Sequence, residues 1–167
     1  MENWISIILS SAIISAFVSG ITSFILEKRK FSQEYWKIAI AKRLEAYEHI
    51  EQVLVFFQTS NLIDGKPCHL AFLNLASFND VQTKLAMLSW KINWISTDIF
   101  AKIIELNRLF YTCNSLRNNV EVNSFGVKYY QDIAEIRDVI LKFTSKDYLQ
   151  MPNVKGFLKT KIAEKFL

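Results

Sequence analysis

The sequence predicts an all-α protein: one N-terminal transmembrane helix that continues into a cytoplasmic four-helix bundle. Three observations predict it. Residues 4–26 form a run of 23 without a charge. Beyond that run, apolar residues recur at alternating steps of four and three, the one-face pattern of an amphipathic helix and not the period two of a strand. Glycine and proline, which punctuate helices, number only four and two in 167 residues.

The apolar run, "WISIILSSAIISAFVSGITSFIL", comes first. At about 1.5 Å of rise per residue it spans roughly 34 Å, enough to cross a hydrocarbon core of about 30 Å with some tilt. A secretory signal would open on positive charge and close on a small-residue cleavage site. Here the start is "MEN", and the basic cluster Lys28, Arg29 and Lys30 follows the run instead. That order predicts an uncleaved, single-pass anchor over residues 1–27, with the N-terminus outside and the rest cytoplasmic. Lys28, Arg29 and Lys30 would then meet lipid headgroups. Trp4 would sit in the outer aromatic belt, and Phe31, Tyr35 and Trp36 in the inner one. A buried helix of a soluble protein is the other reading of the same run.

Within the anchor, Ser11, Ser15, Ser19 and Ser23 make one ridge, and Ala12, Ala16 and Gly20 make the row beside it. These small residues lie opposite Ile8, Ile14, Phe17, Ile21, Phe24 and Ile25 on a helical wheel. Small-xxx-small spacing lets helix backbones approach closely, and serines can bond across the contact. The face predicts association with a second copy or with another membrane protein. The alternative is that each serine bonds its own i−4 carbonyl and faces lipid.

Residues 28–150 read as the cytoplasmic bundle, with helices at about 32–59, 78–94, 97–118 and 125–146. Trp36, Ile40, Tyr47, Ile50, Leu54 and Phe57 mark the first apolar stripe, and Val81, Leu85, Leu88, Ile92 and Ile95 the second. Ile99, Ile103, Leu106, Phe110 and Cys113 mark the third, and Tyr129, Ile133, Ile136, Ile140 and Phe143 the fourth. Ser96 is a good N-cap, and Asp98 suits the first turn of the third helix. Nothing between residues 27 and 58 breaks a helix, so the anchor is expected to continue into the first cytoplasmic helix as one rod of about 50 residues. Asp64-Gly65 with Pro67, "NNVEVNSFG" and Met151-Pro152-Asn153 are the turn signals. Residues 66–77 fit a loop, a helical turn or an extended segment equally well. Residues 151–167 form a basic C-terminal tail or short helix without a clean apolar face.

The net charge of +4 is uneven, with positive charge beside the apolar run and at the tail. Nucleic acid would need a larger basic face with stacking aromatics, so no nucleic-acid partner is expected. No phosphate-cradling glycine loop, nucleophile elbow or zinc-protease histidine pair is present, and no cofactor is expected. His49 has Ala46, not Glu, three residues before it, so the di-iron bundle pattern is absent. Glu45, Glu48 and His49 read as a solvated face. Cys68-His69 beside Asp64 lacks a second Cys/His pair, so no metal site is assigned. Cys68 and Cys113 are expected to be free thiols, Cys113 in the core.

"RLEAYEH" puts Arg43 and His49 six positions apart. The spacing resembles the Arg-and-His signature of HEPN ribonucleases, in which histidine acts as acid or base and arginine steadies the phosphate. Leu44 departs from that pattern, as does its position in the first helix. The simpler expectation has Arg43 facing lipid phosphates and His49 facing solvent. At the level of architecture, one span, a basic stop, "KRLEAYEHIEQVL", "LSWKINWISTDIFAKIIEL" and "ILKFTSKDYL" resemble small bacterial membrane proteins found beside phage-defence genes such as retrons and abortive-infection loci. The resemblance implies an inner-membrane effector or accessory protein and no catalytic residues. The expected function is therefore a non-enzymatic membrane effector or assembly subunit that self-associates through its anchor. A module recruiting a cytosolic complex is the alternative, and a ribonuclease the third.

Overall fold

A computed structural model describes the backbone of residues 2–113, 116–151, 153 and 156–157, and the side chains among these from residue 15 onward. The described chain is mostly helical, in agreement with an all-α fold. It divides into two compact units, Met1–Ala39 and Ile40–Leu167.

A single helix, α1, runs from Glu2 to Gln58, so the expected continuity of the first two helical segments is observed. Within the first unit, Phe17, Val18, Ile21, Phe24, Ile25 and Leu26 of this helix are all exposed among the described residues. Among the described residues, no helix is long and apolar enough to cross a membrane. Residues 4–14 of the uncharged run lie outside the described side chains.

The second unit is built around aromatic rings. The last turns of α1 bury Ala46, Tyr47, Ile50, Val53, Leu54 and Phe57, the i, i+3, i+4 pattern of a single face. A β-hairpin follows, β1 (Ser60–Ile63) pairing antiparallel with β2 (Lys66–His69). Ile63 pairs with Lys66, leaving Asp64 and Gly65 as a two-residue turn. Both have positive φ, +50° and +75°, which is what the favoured hairpin turns require and why Asp-Gly supplies them. A short 3-10 turn (Leu70–Phe72) then drives Phe72 into the core.

The helix α2 (Leu75–Ser89) starts at Asn74, whose side chain accepts from the Ser77 amide at 2.8 Å. It buries Phe78, Val81, Leu85 and Leu88. After a second 3-10 turn (Ile92–Trp94), α3 (Thr97–Thr112) buries Ile99, Ile103, Leu106 and Phe110. The helices α4 (Asn119–Lys128) and α5 (Tyr130–Leu149) close the unit. Packing joins α3 to α5, α2 to α3, and α4 to β2 and the 3-10 turn before α2. Phe72 sits at the centre, with ring centroids 5.2 Å from Phe110, 5.7 Å from Phe125, 6.0 Å from Phe78 and 6.4 Å from Phe57.

The expected set of four helices differs from the observed one in several places. Residues 66–77, which fit a loop, a helical turn or an extended segment, hold the extended β2 (Lys66–His69), the 3-10 turn Leu70–Phe72 and, from Leu75, the first residues of α2. The expected helix at 125–146 is two helices meeting at Tyr129, which is not helical. "NNVEVNSFG" is the start of α4 and not a loop. Asn118 caps it by accepting from the Glu121 amide at 3.0 Å, while the Glu121 carboxylate takes the Arg117 amide at 2.7 Å. Asparagine thus acts as a helix start here, which its turn propensity disguises. The helix expected to reach 118 ends at Thr112, and the one expected at 78–94 covers Leu75–Ser89.

Candidate functional site

In the first unit, the described members of the expected association face are all exposed: Ser15, Ala16, Ser19, Gly20 and Ser23. A Cβ built on Gly20 would meet nothing within 4 Å, so the backbone there is open to close approach. Ser11 and Ala12 lie outside the described side chains. Lys28, Arg29 and Lys30 are exposed as well. Among the described residues of this unit, the Thr22 hydroxyl bonds back along the helix, donating to the carbonyls of Val18 at 2.7 Å and Ser19 at 3.0 Å.

The second unit holds a polar cluster that the apolar stripes do not predict. Arg43 is only 2% exposed, so the expectation that it faces lipid phosphates is overturned. It projects from the face of α1 that also carries Tyr47 and Ile50, and that face packs inward. Tyr47 donates its hydroxyl to the Asp147 carboxylate, and Arg43 Nη2 lies 3.9 Å from the same group. Burial, reinforced by the bond to Asp147, pushes the Tyr47 phenol well above its ordinary range and keeps it a donor. Phe157 lies over the guanidinium with its ring centroid 3.8 Å from Cζ, and the Tyr47 ring is 5.7 Å away.

A cavity of about 370 Å³ opens beside this cluster. Its wall includes Arg43, the first turn of α3 at Ser96 and Asp98, and Lys146 and Asp147 from the end of α5. Ser96 is the N-cap residue expected from the sequence, but its hydroxyl makes no cap bond. Among the described residues, five buried side-chain atoms have no hydrogen-bond partner, and three of them, Arg43 Nε, Arg43 Nη1 and Ser96 Oγ, belong to residues of this wall; His69 Nδ1 and Thr144 Oγ1 belong to residues outside it. Three phrases far apart in sequence, "KRLEAYEH", "WISTDIF" and "SKDYL", thus converge on one space. Arg43 and Asp98 were singled out in the sequence for other reasons. Asp147 was not, because a lone aspartate near the end of a helix carries no pattern that marks it as buried.

The other candidates resolve more simply. His49 is half-buried on α1. Glu45 pairs with Lys42 at 3.3 Å and with Lys91 at 2.6 Å, and these cations hold its carboxyl below its ordinary value. His69 is buried, stacked on Tyr130 at 4.3 Å, with Nε2 3.1 Å from the Tyr130 carbonyl. Burial lowers its pKa from the ordinary value. Cys68 and Cys113 are buried free thiols, and burial pushes Cys113 up to about 11. Among the described residues, no group of three or more His, Cys, Asp or Glu could hold a metal ion. No protein family matches this chain, and neither a curated protein nor a solved structure is similar to it.

Proposed function

We propose that the chain is a membrane-anchored, non-enzymatic effector or assembly subunit. The observation that carries this reading is the row of exposed large apolar side chains on α1, from Phe17 at 72% exposed to Leu26 at 57%. Leaving such side chains in water forfeits roughly 1.5–3 kcal/mol each, and the exposed cluster Lys28, Arg29, Lys30 bounds them on one side only. A bilayer satisfies both features: acyl chains around the apolar residues and anionic headgroups at the cations. The N-terminus then lies outside and the second unit in the cytoplasm. With one span per chain, the small residues from Ser11 to Ser23 serve association between copies. Phage defence is the setting that the architectural resemblance suggests.

The test is crosslinking in native membranes. Disulfide formation after Ser15→Cys or Ser19→Cys should trap dimers, whereas Phe17→Cys and Phe24→Cys should not. Replacing Ser15, Ser19 and Gly20 by Leu should abolish the dimers without releasing the protein from the membrane. Equal crosslinking at all four positions would contradict a specific face. Loss of dimers with full function would instead favour recruitment of a cytosolic complex by a monomeric anchor.

A further inference from the structure

We infer that the cavity over Arg43 binds a small molecule through a phosphoryl group. A buried donor without an acceptor is destabilising, and more so when it belongs to a charged group. Among the described residues, Arg43 leaves Nε and Nη1 unpartnered, while its guanidinium also bonds the Tyr47 hydroxyl and Nη2 lies a loose 3.9 Å from Asp147. The Ser96 hydroxyl adds a third orphan on the same cavity wall. Folds rarely retain three such groups around one space unless something enters to pair them.

The charges around the cavity say what enters. Ser96 stands at the N-terminus of α3, a 16-residue helix whose amide end carries positive partial charge. Lys146 brings an ammonium from α5, and Arg43 brings planar donors that match phosphoryl oxygens. These donors come from three separate elements, an arrangement that suits a tetrahedral oxyanion. Phe157 covers one face of the guanidinium and holds its plane in place. The acids narrow the choice further. Asp147 is already engaged by Tyr47 and Arg43, while Asp98 lines the cavity from the first turn of α3. A carboxylate there disfavours a bare anion and rewards a hydroxyl or amino donor next to the phosphoryl group. At about 370 Å³ the space is near the lower end for ligand pockets, the scale of a sugar phosphate or a lipid headgroup.

Those two sources share one chemistry and are separable by experiment. The full-length chain, in maltoside detergent free of phosphate, is titrated with inorganic phosphate, ribose 5-phosphate and a water-soluble short-chain phosphatidylglycerol. Thermal unfolding and calorimetry are read against matched sodium chloride. A saturable rise in Tm with the first two compounds supports a soluble ligand, and a rise with the third alone supports a lipid headgroup. No response to any of the three overturns the site. Arg43→Met breaks a buried ion pair and threatens folding, so Ser96→Asp and Lys146→Ala carry the assignment. Ser96→Asp places a carboxylate where the phosphoryl oxygens belong while supplying a good helix cap. It should raise the ligand-free Tm and weaken binding by about tenfold or more. Lys146→Ala should weaken binding severalfold with little change in the ligand-free Tm. Unchanged affinity in both variants would overturn the proposal.

Discussion

The two units of this chain use the same kind of residue in opposite ways. In Ile40–Leu167, Phe57, Phe72 and Phe110 are 0% exposed and pack on one another. In Met1–Ala39, Phe17 and Phe24 are 72% and 66% exposed. The second unit thus buries a phenylalanine core within the chain, although single residues such as Leu62, Trp90 and Leu149 stay exposed on its surface. In the first unit the exposed large apolar residues instead recur along one stretch of helix, from Phe17 to Leu26. An identical substitution should therefore have different consequences in the two units, and the size of that difference measures how far the contrast holds.

The largest effect is expected for large-to-small changes. Phe110→Ala removes a ring packed against Phe57, Phe72 and Phe78, and should cost about 3–5 kcal/mol of unfolding free energy. Phe24→Ala should leave unfolding of the second unit unchanged. Denaturant titration followed by tryptophan fluorescence checks both, and a similar loss from Phe24→Ala would break the comparison.

Small-to-large changes at glycine come next. A Cβ on Gly126 would lie 2.3 Å from Phe72 Cβ and 2.7 Å from Cys68 Sγ, so α4 approaches the 3-10 turn too closely for any side chain. Gly126→Ala should cost about 1–3 kcal/mol by overpacking. Gly20→Ala, with open space around it, should cost nothing in folding and should be felt only in association between copies.

Tyr47→Phe sharpens the account of the polar cluster. It deletes the hydroxyl that satisfies buried Asp147 while keeping the ring, and should cost about 1–3 kcal/mol. The smallest effect concerns pH. His69 is held neutral by burial, with the charge of Arg137 adding to that effect, so its folded pKa lies below its unfolded value of 6.5. The unfolded chain therefore binds the proton more readily. Stability is fully present above about pH 6.5 and falls as the pH drops below it. His69→Phe should flatten that part of the stability profile, measured by chemical denaturation between pH 5 and pH 7.5.

The contrast between the units was legible in the sequence because it rests on periodicity and charge, which a chain displays openly. The 23-residue uncharged run, the apolar stripes that put Ile99, Ile103, Leu106 and Phe110 on one face, and the cap position at Ser96 all follow from local pattern. The hairpin was half legible: Asp64-Gly65 announced a turn, but two four-residue strands are too short to display alternation. The break at Tyr129 left no signal, since tyrosine is compatible with a helix interior. The cavity was the least legible feature. Arg43, Ser96 and Asp147 are brought together by packing between distant segments, and nothing in any one segment marks these side chains as buried. Arg43 in particular read as a surface cation, because arginine is rarely buried without close pairing.

The central claim is that the apolar side chains of the first unit are covered by lipid. The native thiols Cys68 and Cys113 are buried, so single cysteines placed at exposed positions can be labelled selectively. Ile21→Cys in the first unit and Val55→Cys in the second, 53% and 51% exposed in the free chain, form a matched pair. With an environment-sensitive fluorophore on each and the full chain in liposomes carrying lipid-attached quenchers, the label at 21 should emit blue-shifted and be quenched, while the label at 55 should do neither. Equal, water-like emission from both positions would contradict the account.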